Sequence, residues 1–113
     1  MEVEVREVVV SQEALLSLEA IFTYGIETFS YGSASLFVDE IYAHIESLSA
    51  KYLHHPECRQ LVTKSKKYRN IRCGSYLIIY KVTPLRIEVL NIIHASRSIS
   101  KIKSVRKIKI QST

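Results

Sequence analysis

The chain has 113 residues, of which 47% are apolar and 24% charged, with a formal net charge of +5. This describes one soluble domain able to build a core, too short for two domains and too apolar for a disordered tail. The longest apolar run, Tyr76–Tyr80, excludes a membrane-spanning helix, and Met1–Arg6 has no secretory-signal character, so a cytoplasmic location is expected.

Val3 and Val5 alternate with Glu2, Glu4 and Arg6 before the run Val8–Val10, which predicts a strand with one wet face near its start. Ser11 can cap a helix whose first turn carries Glu13. Leu15, Leu18, Phe22, Ile26 and Phe29 recur at helical spacing, giving an amphipathic helix from about Ser11 to Ser30. Tyr31-Gly32-Ser33 is read as a break, with Gly32 in the left-handed conformation that ends helices. A second helix restarts at Ser33 or Ser35, with Leu36, Val38, Ile41, Tyr42, Ile45, Leu48 and Tyr52 as its apolar stripe and Asp39, Glu40 and Glu46 facing away. Two such helices across a short break make an antiparallel hairpin, and both stripes require a sheet beneath them.

His54-His55-Pro56 ends the helical part, because the residue before a proline avoids helical geometry. Arg59–Lys67 reads as a polar connection anchored by Leu61 and Val62. Three strands follow: Tyr68–Cys73, Tyr76–Val82 and Arg86–His94, separated by the turns Gly74-Ser75 and Thr83-Pro84-Leu85. Turns this short impose antiparallel neighbours. Ala95–Thr113 is read as a short helix or irregular arm with a fraying end. The expected fold is therefore α+β: an N-terminal strand, a helical hairpin and a three-stranded antiparallel meander, forming one sheet covered on one face by the helices. A single domain, 1–113, ends in a basic arm over about 98–113.

Charge is divided along the chain. Residues 1–58 hold ten acidic and two basic residues, whereas residues 59–113 hold fourteen basic residues and one acid, Glu88. The second half should present a basic surface to an anionic partner, unless the two halves pair internally. Arg97, Lys101, Lys103, Arg106, Lys107 and Lys109 form the densest run, interleaved with Ile99, Ile102, Val105, Ile108 and Ile110. That interleaving favours an arm that binds a partner over a purely solvated tail.

Chemistry-bearing clusters are few. His54, His55, Glu57 and Cys58 are metal ligands by element, but neighbours in sequence rarely converge on one ion and no second cluster supports them. Neither a metal site nor a cofactor is expected, and Cys58 and Cys73 read as free thiols. Arg69 and Arg72 fall on opposite faces of their strand and form no single clamp. Tyr68, Tyr76 and Tyr80 read as core residues with one wet tip, and His94 as an imidazole tied to local backbone. No nucleophile elbow, phosphate-binding loop, dinucleotide fingerprint or carboxylate pair occurs, so an enzyme with a small-molecule substrate is not expected.

The stretch Tyr68-Arg69-Asn70-Ile71-Arg72-Cys73-Gly74-Ser75-Tyr76-Leu77-Ile78-Ile79-Tyr80-Lys81-Val82, with Arg86-Ile87-Glu88-Val89-Leu90-Asn91-Ile92-Ile93-His94-Ala95-Ser96-Arg97 after it, resembles the ParE toxins of the RelE/ParE superfamily. The preceding hairpin fits the same pattern from about Val5. The resemblance implies the toxin of a bacterial type II toxin–antitoxin pair, of the plasmid-stabilisation kind, neutralised by a small antitoxin and acting on DNA gyrase by protein–protein contact. On that reading Arg97 and Lys101, Lys103, Arg106, Lys107 and Lys109 meet the target. The sheet surface around Arg69, Arg72 and Tyr80 receives the antitoxin. The alternative within the superfamily is a RelE-like ribosome-dependent mRNA endoribonuclease using Arg69, Arg72, His94 and Arg97. Leu77 stands where RelE-type members often place a central-strand arginine, which favours the ParE branch. A third reading is an inactive relative or a basic nucleic-acid-binding module.

Overall fold

The computed structural model describes residues 4–110. Its elements are β1 (Glu7–Val10), α1 (Gln12–Thr28), α2 (Tyr31–Lys51), a 3₁₀ turn at Arg59–Leu61, β2 (Tyr68–Cys73), β3 (Tyr76–Val82), β4 (Arg86–His94), α3 (Ile99–Lys103) and a second 3₁₀ turn at Ser104–Lys107. The sheet order is β1-β4-β3-β2. β2, β3 and β4 form the antiparallel meander, and β1 pairs in parallel with β4, Val8 opposite Ile87 and Val10 opposite Val89. The α+β architecture and the three meander strands are as the sequence led us to expect.

Ser11 does two jobs. Its hydroxyl accepts the Ala14 amide at 2.9 Å as the α1 cap and donates to the Leu90 carbonyl at 2.5 Å, while its own amide reaches Val89 O at 3.0 Å. Leu90 lies where the β3–β4 register shifts, Tyr80 facing Val89 but Ile79 facing Asn91. An extra residue in one strand leaves groups outside the ladder, and Ser11 and Ser17 occupy that gap, Ser17 Oγ donating to Asn91 Oδ1 at 2.6 Å.

The apolar stripe of α1 is phased differently from the expected one, whereas α2 buries the expected Ile41, Ile45 and Leu48, with Tyr52 buried at its C-cap. α1 buries Ala14, Leu18 and Ile21, while Leu15, Ile26 and Phe29 are exposed. α2 buries Ala34, Ile41, Ile45 and Leu48, while Leu36 and Tyr42 are exposed. At the hairpin tip small residues face each other: a Cβ built on Gly25 would stand 2.9 Å from the Cβ of Ala34, and this close approach leaves no room there for a larger side chain. Gly32 is correspondingly no terminator. The break falls at Phe29-Ser30, the Ser30 hydroxyl accepts the Ser33 amide at 3.0 Å, and Gly32 lies in the first turn of α2. The left-handed glycine is Gly74, φ +58°, in the β2–β3 turn with the Phe37 ring against it.

Two cores flank the sheet. Under the hairpin, Leu18, Ile41, Leu48 and Tyr52 pack on Ile71, Ile78, Tyr80, Ile87, Val89 and Ile92. On the opposite face, Cys58, Leu61, Tyr68, Ile79, Leu90 and Ile93 pack with Ile102 and Val105 of the C-terminal segment. Leu61 anchors the connection as expected, but Val62 is exposed. The arm does not fray within the described residues: Ile102 is 2% and Val105 1% exposed, and Arg86 donates to the Ile110 carbonyl at 2.8 Å. Residues 111–113 and 1–3, including Val3, lie outside the described residues. No helix of the described residues is long and apolar enough to cross a membrane.

Candidate functional site: a groove and a basic arm

The end of the sheet where β3 begins and β4 finishes lies against the tip of the hairpin. Between them runs an open groove of about 1340 Å³, with Tyr24, Phe29, Phe37, Tyr76, His94 and Arg97 among its lining residues. Tyr76 and His94 face each other across β3 and β4, ring centroids 5.2 Å apart, and Phe37 of α2 stands 5.9 Å from Tyr76. The walls are aromatic and apolar on the helical side, with Phe29 72% exposed. Arg97 and Lys101 add positive charge to the opposite rim.

His94 Nδ1 takes the Ser96 amide at 3.1 Å and stands 2.6 Å from its hydroxyl, so the ring is tied to the local turn as the sequence suggested. Ala95 N donates to Ser75 O at 2.7 Å and Arg97 N to His94 O at 3.0 Å. These bonds fix the path by which the chain leaves β4. The Ser98 hydroxyl then accepts the Lys101 amide as the α3 cap.

From there the arm crosses the second face. Ile102 and Val105 turn inward, so Lys101, Lys103, Arg106, Lys107 and Lys109 are all exposed. The one acid of the second half, Glu88, is engaged by Arg86 at 2.9 Å, the only ion pair among the described residues. Internal pairing between acidic and basic halves is therefore not how the charge is balanced. Among the described residues no ion pair links the acidic first half to the basic second half.

The sheet residues assigned to antitoxin binding fare unequally. Tyr80 is fully buried, with its hydroxyl donating to Tyr52 O at 2.7 Å, and presents no surface. Its central position under the hairpin is the physical reason, and burial pushes its phenol far above the ordinary value. Arg69 shares that helical face and donates to His55 O at 2.7 Å and Lys66 O at 3.2 Å, pinning the loop between α2 and β2. Arg72 is exposed on the other face, its Nε donating to Gly74 O at 3.1 Å. Opposite faces for the two arginines are as read from strand parity. Of the four residues in the ribonuclease alternative, His94 and Arg97 line the groove and Arg69 and Arg72 do not.

His54, His55, Glu57 and Cys58 do not converge. Glu57 accepts the Thr63 amide at 3.0 Å, and Cys58 sits in the second core, where burial raises its thiol. His55 stands edge-on to Tyr80, its Nε2 buried without a partner, and burial lowers its pKa. Sequence reasoning missed the groove's helical wall. Phe29 and Phe37 could have suggested it only through the phase of the hairpin.

Residues 8–99 match the family model of the ParE toxin of type II toxin–antitoxin system, parDE. Among solved structures, one described as the chromosomal ParDE toxin–antitoxin system from P. aeruginosa aligns with a TM-score of 0.67 at 14% identity, covering 81% of this chain and 98% of that one. That likeness shows the fold. No curated protein sequence matches the chain.

Proposed function

The chain belongs to the ParE toxin family of type II toxin–antitoxin systems, and from that premise we propose that it inhibits DNA gyrase by protein–protein contact and is silenced by a cognate antitoxin. The observation that carries the reading is the pinned arm. Burial of Ile102 and Val105 holds five cations outward on one face with no acidic partner among the described residues. Such a surface suits an anionic partner and speeds encounter with it. Arg97, Lys101, Lys103, Arg106, Lys107 and Lys109 are the target-contact residues. The antitoxin, as an acidic amphipathic segment, would lay its apolar side on Phe29, Phe37 and Tyr76 and its carboxylates toward Arg97 and Lys101.

The test is a gyrase supercoiling and cleavage assay with purified protein, alone and with the product of the adjacent open reading frame. Cleaved DNA trapped by the protein and relieved by its neighbour is the expected result. Unaffected gyrase, together with cleavage of ribosome-bound message, would replace this reading with the ribonuclease one.

A further inference from the structure

We propose that Glu40, His44 and Cys73 form a binding site for a borderline-soft divalent metal ion, with zinc the best fit, that ties α2 to the end of β2. One ligand atom from each residue lies within 4.8 Å of the other two. Glu40 and His44 are four apart on α2, so they stand on the same face one turn apart. Cys73 reaches them from the last position of β2, just before the turn whose Gly74 packs on Phe37 of the same helix. The site is thus built by two elements already held together by the core.

The donor set points to the ion. A thiolate, an imidazole and a carboxylate suit zinc or cobalt, whereas magnesium and calcium seek oxygen alone. Zinc bonds of roughly 2.0–2.3 Å at tetrahedral angles place neighbouring donors about 3.3–3.7 Å apart. Exposed Glu40 and half-exposed His44 close the remaining gap by small side-chain rotations. None of the hydrogen bonds or ion pairs of the described residues uses these three side-chain groups, so coordination displaces no existing partner. Burial, and after it the Glu40 carboxylate, raises the Cys73 thiol above its ordinary value. On binding, the S–H bond breaks, its proton leaves to solvent and the sulfur lone pair takes the ion. Three protein ligands leave a fourth position for water.

The experiment is titration of the purified full-length protein with cobalt(II), then competition with zinc(II). Wild type should show thiolate-to-cobalt charge transfer in the near ultraviolet and the visible bands of a tetrahedral site, bleached by zinc. Cys58→Ser should keep these signals and Cys73→Ser lose them. Because Cys73 is buried, His44→Gln and Glu40→Gln provide surface variants that leave the core untouched. Each should weaken binding at least tenfold, since removing a group that merely orients a metal ligand already costs roughly 10–100-fold. Zinc should also raise the Tm of wild type and not of His44→Gln. Absence of a thiolate band, a band that depends on Cys58, or unchanged affinity in His44→Gln would each overturn the assignment. None of these readouts depends on gyrase or the antitoxin.

Discussion

Replacing Ile102 with alanine tests the claim that the basic arm is part of the fold. The side chain is 2% exposed in the second core with Leu61, Tyr68, Leu90, Ile93 and Val105. The substitution removes three carbons, and at about 0.8 kcal/mol per buried methylene the transfer loss is about 2.4 kcal/mol. The cavity left behind adds to that, within a range of about 2–5 kcal/mol for buried Ile→Ala changes. The expected loss is about 3 kcal/mol, toward the lower part of that range because a terminal segment can settle into the void. Urea denaturation followed by circular dichroism measures it as a fall in Cm at unchanged m. Hydrogen exchange adds a local readout, since the Ile102 amide bonds to Ser98 O at 3.1 Å and should lose protection first. Lys101→Ala, one residue away and exposed, should change stability by less than about 0.5 kcal/mol. If Ile102→Ala is as neutral as Lys101→Ala, the arm is not packed and the reasoning about its outward cations fails.

Gly25→Ala should destabilise by about 1–3 kcal/mol, because the new methyl meets Ala34 Cβ at 2.9 Å and the two helices must separate. Gly32→Ala, with nothing within 4 Å of its added carbon, should stabilise by about 0.4–1 kcal/mol, and thermal melts would separate the two. The lowered pKa of His55 means that the folded protein holds this ring neutral and the unfolded chain binds the extra proton. Stability should therefore fall as pH drops below the unfolded value of about 6.5, and His55→Phe should flatten that slope in urea titrations from pH 7 to 5. An unchanged slope would remove His55 from the account. Neutralising Lys103, Arg106, Lys107 and Lys109 to glutamine should leave Tm nearly unchanged but weaken inhibition in the gyrase supercoiling assay and slow association with gyrase, with a smaller salt dependence. Inhibition equal to wild type would remove these cations from the target contact.

The meander was legible because its punctuation is local. Gly74-Ser75 and Thr83-Pro84 dictate tight turns, and a period of two assigns Arg69 and Arg72 to opposite faces without any tertiary knowledge. The hairpin was legible as two helices, with α2 in phase and α1 out of phase. Apolar size points to Leu15, Ile26 and Phe29, whereas all three are exposed and Gly25 meets Ala34 at the hairpin tip. Two glycines stand near the break, and which of them allows close approach depends on a partner helix that the local sequence does not describe. The buried position of Tyr80 was read correctly as core, yet its use as a binding surface ignored the hairpin above it. Lys and Arg between the isoleucines of the arm announced an inside and an outside, but not that the inside is the second sheet face. Cys73 lies far along the chain from Glu40 and His44, and nothing in the local sequence brings it to them.

The parallel pairing of β1 with β4 orders events in time. β2, β3 and β4 close through tight turns and can form as soon as they are made, but β1 has no partner until the last strand exists. During synthesis from the N-terminus, Val8, Val9 and Val10 therefore wait while nearly the whole domain is produced. The Ser11 bonds to Val89 and Leu90, which join the start of α1 to β4, are equally late. The second core is later still, because Ile102 and Val105 follow β4 in the chain. A nascent chain thus carries its acidic half before its basic one, and the outward-facing cations take their places only after β4 has been made.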